Sequence, residues 1–296
     1  MTDKLRVVAS YTTLPSRYEV LQQSLESIKS QTHKVDAIYL TIPKISRRLN
    51  KPYLPLTEDI TKLCTIVRSD IDYGPLTKIY GALVSEVDPQ TVIISCDDDV
   101  QFSPNHVEKL LQYHIKYPQI AICGSGALIG KGLLFVSMVS TLSPYDKWKG
   151  TTGFEIPPEG RNVDLIFGVA GVLYTRAMFP PIESLHKEFF NYALLDEAIF
   201  CNDDVLISSY LSKQNISRKV FLDIPPIVHF NGNDALSSEK IKMIKRLNQS
   251  ISKVKEYGFY PTMEPYGYDE TPAGRGFIAG FLLIIVIILC FYFYQS

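Results

Sequence analysis

Thr91-Val92-Ile93-Ile94-Ser95-Cys96-Asp97-Asp98-Asp99 is the stretch that decides the fold. Its first six residues are apolar, small or β-branched and read as a buried strand. Three adjacent carboxylates repel one another, and taking them out of water without partners is costly. A strand that delivers them to its C-terminal end asks for a compensating cation. Asp oxygens suit Mg²⁺ or Mn²⁺, ions that usually also hold phosphates. The plainer alternative is a solvated acidic turn before a helix at Pro104. In open α/β sheets ligands bind outside the carboxyl ends of the strands, so the position favours the cation.

Outward from this strand, helical and strand patterns alternate. Strands are predicted at 5–10, 37–42, 64–67, 91–96 and 120–124. Helices are predicted at 17–30, 76–87 and 104–117, with a long excursion over 43–61. This alternation predicts an α/β fold with a mostly parallel sheet flanked by helices. The second half is less regular. Residues 124–153 read as turn-rich, 167–175 as a strand, 203–211 as a helix, 220–222 and 227–230 as short strands, and 237–257 as a long helix. No GxGxxG and no P-loop lysine motif occurs, which argues against an ordinary dinucleotide or ATPase site.

The chain has 296 residues, 46% of them hydrophobic and 21% charged, enough for a sizeable core. Its formal net charge of -1 offers no basic field for nucleic acid. The basic residues between Lys240 and Lys255 read as the solvated face of a helix. Cys64, Cys96, Cys123, Cys201 and Cys290 are scattered, with no CxxC pair. They read as free thiols in a reducing compartment, not as a zinc site.

No apolar leader is legible at Met1-Thr2-Asp3-Lys4. Phe277 to Tyr294 carries no charge and is apolar or aromatic apart from two glycines. It is long enough to cross a hydrocarbon core of roughly 30 Å as a helix. The predicted organisation is a domain over 1–257, a linker over 258–276 and a transmembrane anchor over 277–294. Basic residues precede the span and none follows it, so the large domain is expected in the cytosol. The sequons at Asn215 and Asn248 would then go unused.

Four further clusters accompany the acid triplet. Thr12-Thr13-Leu14-Pro15-Ser16-Arg17 follows the first strand; its hydroxyls and guanidinium suit a nucleotide, or else cap a helix. Asp70-Ile71-Asp72-Tyr73-Gly74-Pro75-Leu76-Thr77-Lys78 joins a strand to a helix. A cation at a helix N-terminus opposes the dipole, so Lys78 favours a phosphate partner over plain solvation. Asn202-Asp203-Asp204 opens a helix. The dipole accounts well for one acid there and less well for two, and the other reading is a general base. His229 follows a short strand and is either packed or a third metal ligand. Trp148, the single tryptophan, stacks on a sugar ring or anchors its loop.

Ser10-Tyr11-Thr12-Thr13-Leu14-Pro15-Ser16-Arg17, with Ser24-Leu25 and Gln31-Thr32 behind it, resembles the opening of GT-A type, family-2-like glycosyltransferases, including those of large DNA viruses and bacteria. Asp72 to Lys78 is similar to their Asp-x-Gly-Pro-x-Thr-Lys segment, and Asp97-Asp98-Asp99 to their Asp-x-Asp motif. Phe167-Gly168-Val169-Ala170-Gly171-Val172-Leu173-Tyr174 resembles their Gly-rich acceptor-side strand, and Asn202-Asp203-Asp204-Val205 their acidic pair. The resemblance runs from about residue 5 to 230. It implies a nucleotide-sugar donor held by Thr12, Arg17, Asp72, Lys78, Asp97 and Asp98. It also implies Mn²⁺ or Mg²⁺ on Asp97 and Asp99, with His229 as a further ligand. Asp203 or Asp204 would deprotonate an acceptor hydroxyl on a glycan, lipid or protein, with inversion at the sugar. Many relatives have Glu-Asp where this chain has Asp-Asp, which leaves the choice of base open. The competing expectations are a sugar nucleotidyltransferase and a tail-anchored, non-catalytic carbohydrate-binding or scaffold protein.

Overall fold

The computed structural model describes residues 5–129, 136–140, 157–221, 223–225, 227–230 and 240–259. An eight-stranded mixed sheet organises them. From one edge its strands run Arg161–Asn162, Arg218–Val220, Ala121–Cys123, Val172–Thr175, Val92–Ser95, Val7–Thr12, Ala37–Pro43 and Thr65–Ser69. Val7–Thr12 pairs in parallel with both Ala37–Pro43 and Val92–Ser95, and Ala37–Pro43 with Thr65–Ser69. Arg218–Val220 is parallel to Ala121–Cys123. Val172–Thr175 lies antiparallel between Ala121–Cys123 and Val92–Ser95.

Strand periodicity sorts the side chains into two cores, one on each face. Val7, Ala9, Tyr11, Val92, Ile94 and Cys96 face one core with Leu21, Leu25 and Ile28 of the Tyr18–Lys29 helix. Val8 and Ile93 face the other with Leu76, Ile79, Ala82 and Leu83. Every residue of Val92–Ser95 is buried, because helices cover both faces of the sheet. Each large apolar side chain buried this way contributes about 1.5–3 kcal/mol. Among the described cysteines Cys96 and Cys123 are buried and free, while Cys64 and Cys201 are free and partly exposed.

The first half follows the predicted order closely, with the helices at Tyr18–Lys29, Thr77–Ser85 and His106–Lys116. The second half needs corrections. Residues 124–153 were expected to be turns, yet Ser125–Ile129 pairs with Val136–Ser140. Ser125 and Gly126 read as a turn and hide the strand, although the Ala127, Leu128 and Ile129 that follow are apolar. The strand expected over 167–175 is instead a 3-10 turn, Gly168–Ala170, followed by Val172–Thr175. Gly171 sits at φ 70 between them, a left-handed conformation that interrupts the strand. The short helices Ile182–Glu188 and Glu197–Phe200 carry no periodic pattern long enough to read.

Among the described residues no helix is long and apolar enough to cross a membrane. The anchor expected at 277–294, most of the linker at 258–276, and Trp148 lie outside those residues.

Candidate active site

Chain order reverses its direction across the sheet at Val7–Thr12. The next two strands are added on one side of it and Val92–Ser95 on the other. Such a switch point opens a crevice at the carboxyl ends of the flanking strands, where ligands of α/β proteins bind. Thr13 and Arg17 leave one strand there, and Asp97-Asp98-Asp99 leaves the other. They meet: Thr13 Oγ1 donates to Asp98 Oδ2 at 2.6 Å. Arg17 Nη1 donates to Asp98 Oδ1 at 2.8 Å and to Asp99 Oδ2 at 3.3 Å. Arg17 is therefore the counter-cation of two of the three acids.

The third acid has a different partner. Lys78 Nζ donates to Asp97 Oδ1 at 2.5 Å and lies 2.9 Å from Asp203 Oδ2. The second contact is an ion pair whose angles miss those of a hydrogen bond, so that oxygen has no hydrogen-bond partner. Lys78 is only 5% exposed. It was expected as a phosphate ligand on an open helix terminus, and the structure places it against carboxylates instead. Its backbone is anchored beside the central strand, because Ser10 Oγ donates to the Lys78 carbonyl at 2.5 Å.

Asp203 and Asp204 open the Asp203–Lys213 helix after Asn202. Asp204 Oδ1 accepts the Gly168 N–H at 2.9 Å. A Cβ on Gly168 would lie 2.9 Å from Lys78 Nζ, 3.2 Å from Asp204 Oδ1 and 3.7 Å from Asp97 Oδ1. Asp97, Lys78, Asp203, Asp204 and Gly168, drawn from four distant segments, thus surround one point.

Five carboxylates share two cations here, and three of the acids have raised pKa values. Burial, with Asp97 and Asp98 beside it, pushes Asp99 up to about 6. Burial also raises Asp98, with Arg17 opposing. Burial and the Asp203 charge lift Asp204 well above the usual carboxylate range. Burial disfavours the Lys78 ammonium, but Asp203, Asp97 and Asp204 more than offset this and hold it charged.

Asp72 is turned to a structural task. Its Oδ2 accepts the Arg47 N–H at 2.7 Å and its Oδ1 the Gly74 N–H at 2.8 Å. It thereby ties the 43–61 excursion to the Gly74–Leu76 turn that precedes Lys78. Thr12 Oγ1 donates to the Thr41 carbonyl at 3.0 Å, capping the neighbouring strand. His229 is exposed and sits opposite Val100 in the Ile227–His229 and Val100–Phe102 pairing. The Phe230 N–H donates to the Asp99 carbonyl at 2.8 Å, so His229 borders the triplet.

Among the described residues no three His, Cys, Asp or Glu side chains are grouped to hold a metal ion by themselves. The donor chemistry of Asp97 and Asp99 still fits Mg²⁺ or Mn²⁺. Such ions take one or two protein carboxylates and complete their shell with phosphate and water.

Sequence reasoning missed two residues of the excursion. Tyr53 Oη donates to the Thr13 carbonyl at 2.9 Å. The Arg47 guanidinium lies 4.4 Å from the Phe200 ring centroid, with Nη2 3.0 Å from Glu197 Oε2. A single tyrosine and a single arginine in a polar loop give no periodic or motif signal. No protein-family model matches the chain, and no curated protein matches it in sequence.

Proposed function

We propose that this chain is a metal-dependent glycosyltransferase of GT-A type. It moves a sugar from a nucleotide-sugar donor to a hydroxyl of a glycan, lipid or protein. The observation that carries the reading is the meeting of Asp97, Lys78, Asp203 and Asp204 beside Gly168 at the carboxyl ends of the sheet. The mixed, mostly parallel sheet supports it at the level of fold class. The sequence adds a C-terminal anchor over 277–294 and a cytosolic domain over 1–257.

Asp97 and Asp99 would hold Mn²⁺ or Mg²⁺, which supplies neutralising charge at a leaving diphosphate. Arg17 orients Asp98 and Asp99 towards the crevice through its two ion pairs. Asp204 takes the acceptor proton: burial and the Asp203 charge raise its pKa above the usual carboxylate range, which makes its ionised form a stronger base, and the Gly168 N–H holds one of its oxygens. Asp203 is the lysine's counter-ion. A sugar nucleotidyltransferase would need the triplet but leaves Asp203 and Asp204 without a role. A non-catalytic binder needs neither set.

The test is thermal melting of the full chain in detergent with UDP, GDP and a panel of nucleotide sugars, with and without Mn²⁺. Ligands that bind the native state raise the melting temperature by mass action. A rise that requires nucleotide and Mn²⁺ together is expected, and it should vanish in Asp99→Asn. No rise with any nucleotide, in folded protein, rejects the transferase.

A further inference from the structure

Lys78 stands where a cation of the site is needed, and it is already bound. Its ammonium contacts Asp97 at 2.5 Å and Asp203 at 2.9 Å, nearly sealed from water. Gly168 leaves the room for this, since a Cβ there would meet the ammonium at 2.9 Å. The division of partners is complementary. Arg17 takes Asp98 and Asp99, and Lys78 takes Asp97. Asp97 belongs to the triplet and is linked through the ammonium to Asp203. A divalent ion on the other oxygen of Asp97 would share that carboxylate with the Lys78 ammonium on Oδ1, and the two cations would repel one another. The lysine cannot leave, because its carbonyl is bonded to Ser10 on the central strand, but its four-carbon stem lets the ammonium pivot.

We propose that Lys78 is a built-in counter-cation of the resting site. It keeps the acids together while no divalent ion is bound, and it surrenders Asp97 to the ion while remaining on Asp203. This rests on the reading that Asp97 is a metal ligand. On this account Lys78 sets the threshold for metal loading: the ion enters readily only with a diphosphate that adds negative charge.

The experiment measures Mn²⁺ alone by electron paramagnetic resonance against the full chain in detergent, comparing wild type with Lys78→Met. Removing the ammonium removes its repulsion of a divalent ion held on Asp97. Binding should tighten at least about tenfold, a modest allowance for such a repulsion in a partly desolvated site. In EDTA the variant should melt below wild type, and Mn²⁺ should raise its melting temperature by more. A lysine with a purely structural role would not tighten metal binding when lost. A folded variant that binds Mn²⁺ no tighter than wild type overturns the inference and leaves the metal reading standing. If neither wild type nor Lys78→Met binds Mn²⁺, with or without UDP, both the inference and the metal reading are overturned. If Lys78→Met does not fold, Lys78→Gln carries the same expectation. Failure of both to fold even in Mn²⁺ also overturns the inference, because the ion should replace the missing cation.

Discussion

The Gly168 N–H donates to Asp204 Oδ1 at 2.9 Å, joining the 3-10 turn Gly168–Ala170 to the first turn of the Asp203–Lys213 helix. The two elements lie 36 residues apart in the chain. Their bond fixes the distance from Asp204 to the Lys78 and Asp97 pair.

Gly168→Ala should therefore separate activity from stability. The added methyl would meet Lys78 Nζ at 2.9 Å, and Nζ, at the end of a flexible chain, can retreat. The fold should lose no more than about 1 kcal/mol. The ion network should shift by a fraction of an ångström to an ångström, and kcat/KM should fall about ten- to a hundredfold. Melting and steady-state turnover on one preparation check this. Wild-type turnover in the variant would mean that the Gly168–Asp204 contact has no part in the chemistry.

Arg17→Leu should be costly to the fold. Arg17 and Asp98 have side chains only 12% and 8% exposed, and removing the guanidinium strands Asp98 and Asp99 without a cation. Breaking such a pair from one side costs about 3 kcal/mol. Adding Asp98→Asn should restore part of the loss, because the stranded charge goes too. Urea unfolding of the single and double variants tests the coupling. Equal loss in both would show that the pair contributes only packing.

How much of this was legible is clearest from Lys78 and Asp97. The strand before Asp97 could be read because β-branched residues and burial leave a plain pattern in sequence. The Asp203-Asp204 pair could be flagged because two acids exceed what a helix dipole needs. What Lys78 touches could not be read. Helical position shows that a lysine opposes the dipole, but not that residues 19 and 125 positions away fold over it. Asp72 misled in the same way: a carboxylate beside a Gly-Pro turn looks available, yet two backbone N–H groups have claimed it. Tyr53 and Arg47 reach the site only because the excursion folds back, and no local rule encodes that.

His106 should shape the acid limb of stability. It is fully buried beside Phe102 and Gly171, with the Ala170 and Pro225 backbone near its ring and, among the described residues, no well-formed hydrogen bond to either nitrogen. Burial lowers its pKa to about 4. The unfolded chain, with an ordinary imidazole near 6.5, then binds more protons between about pH 6.5 and 4. The stability that neutral His106 contributes is complete above pH 6.5 and is lost as pH falls through 4, about 3 kcal/mol in all. His106→Leu should flatten this limb. Asp99 slopes the other way over part of the range, so the difference between variant and wild type isolates the histidine. Parallel melting curves from pH 7 to pH 4 would show that His106 is not buried neutral.

Gly74→Ala should harm both fold and site, and the reason is the backbone of Phe200. Gly74 has φ 65, and a Cβ there would lie 2.4 Å from the Phe200 carbonyl oxygen. Strain at a left-handed residue alone costs about 1 kcal/mol or more. A clash with a backbone atom adds to it, because the Glu197–Phe200 helix cannot yield without moving Asp203 and Asp204 a few residues on. The total should exceed about 2 kcal/mol, with turnover reduced further than the folded fraction explains. Gly258→Ala supplies the control: Gly258 has φ 77 and, among the described residues, nothing within 4 Å of the added carbon, so it bears strain without collision there. A Gly74→Ala variant no less stable than Gly258→Ala would mean that the approach of the Gly74 turn to Phe200 does not hold the acid pair against Lys78.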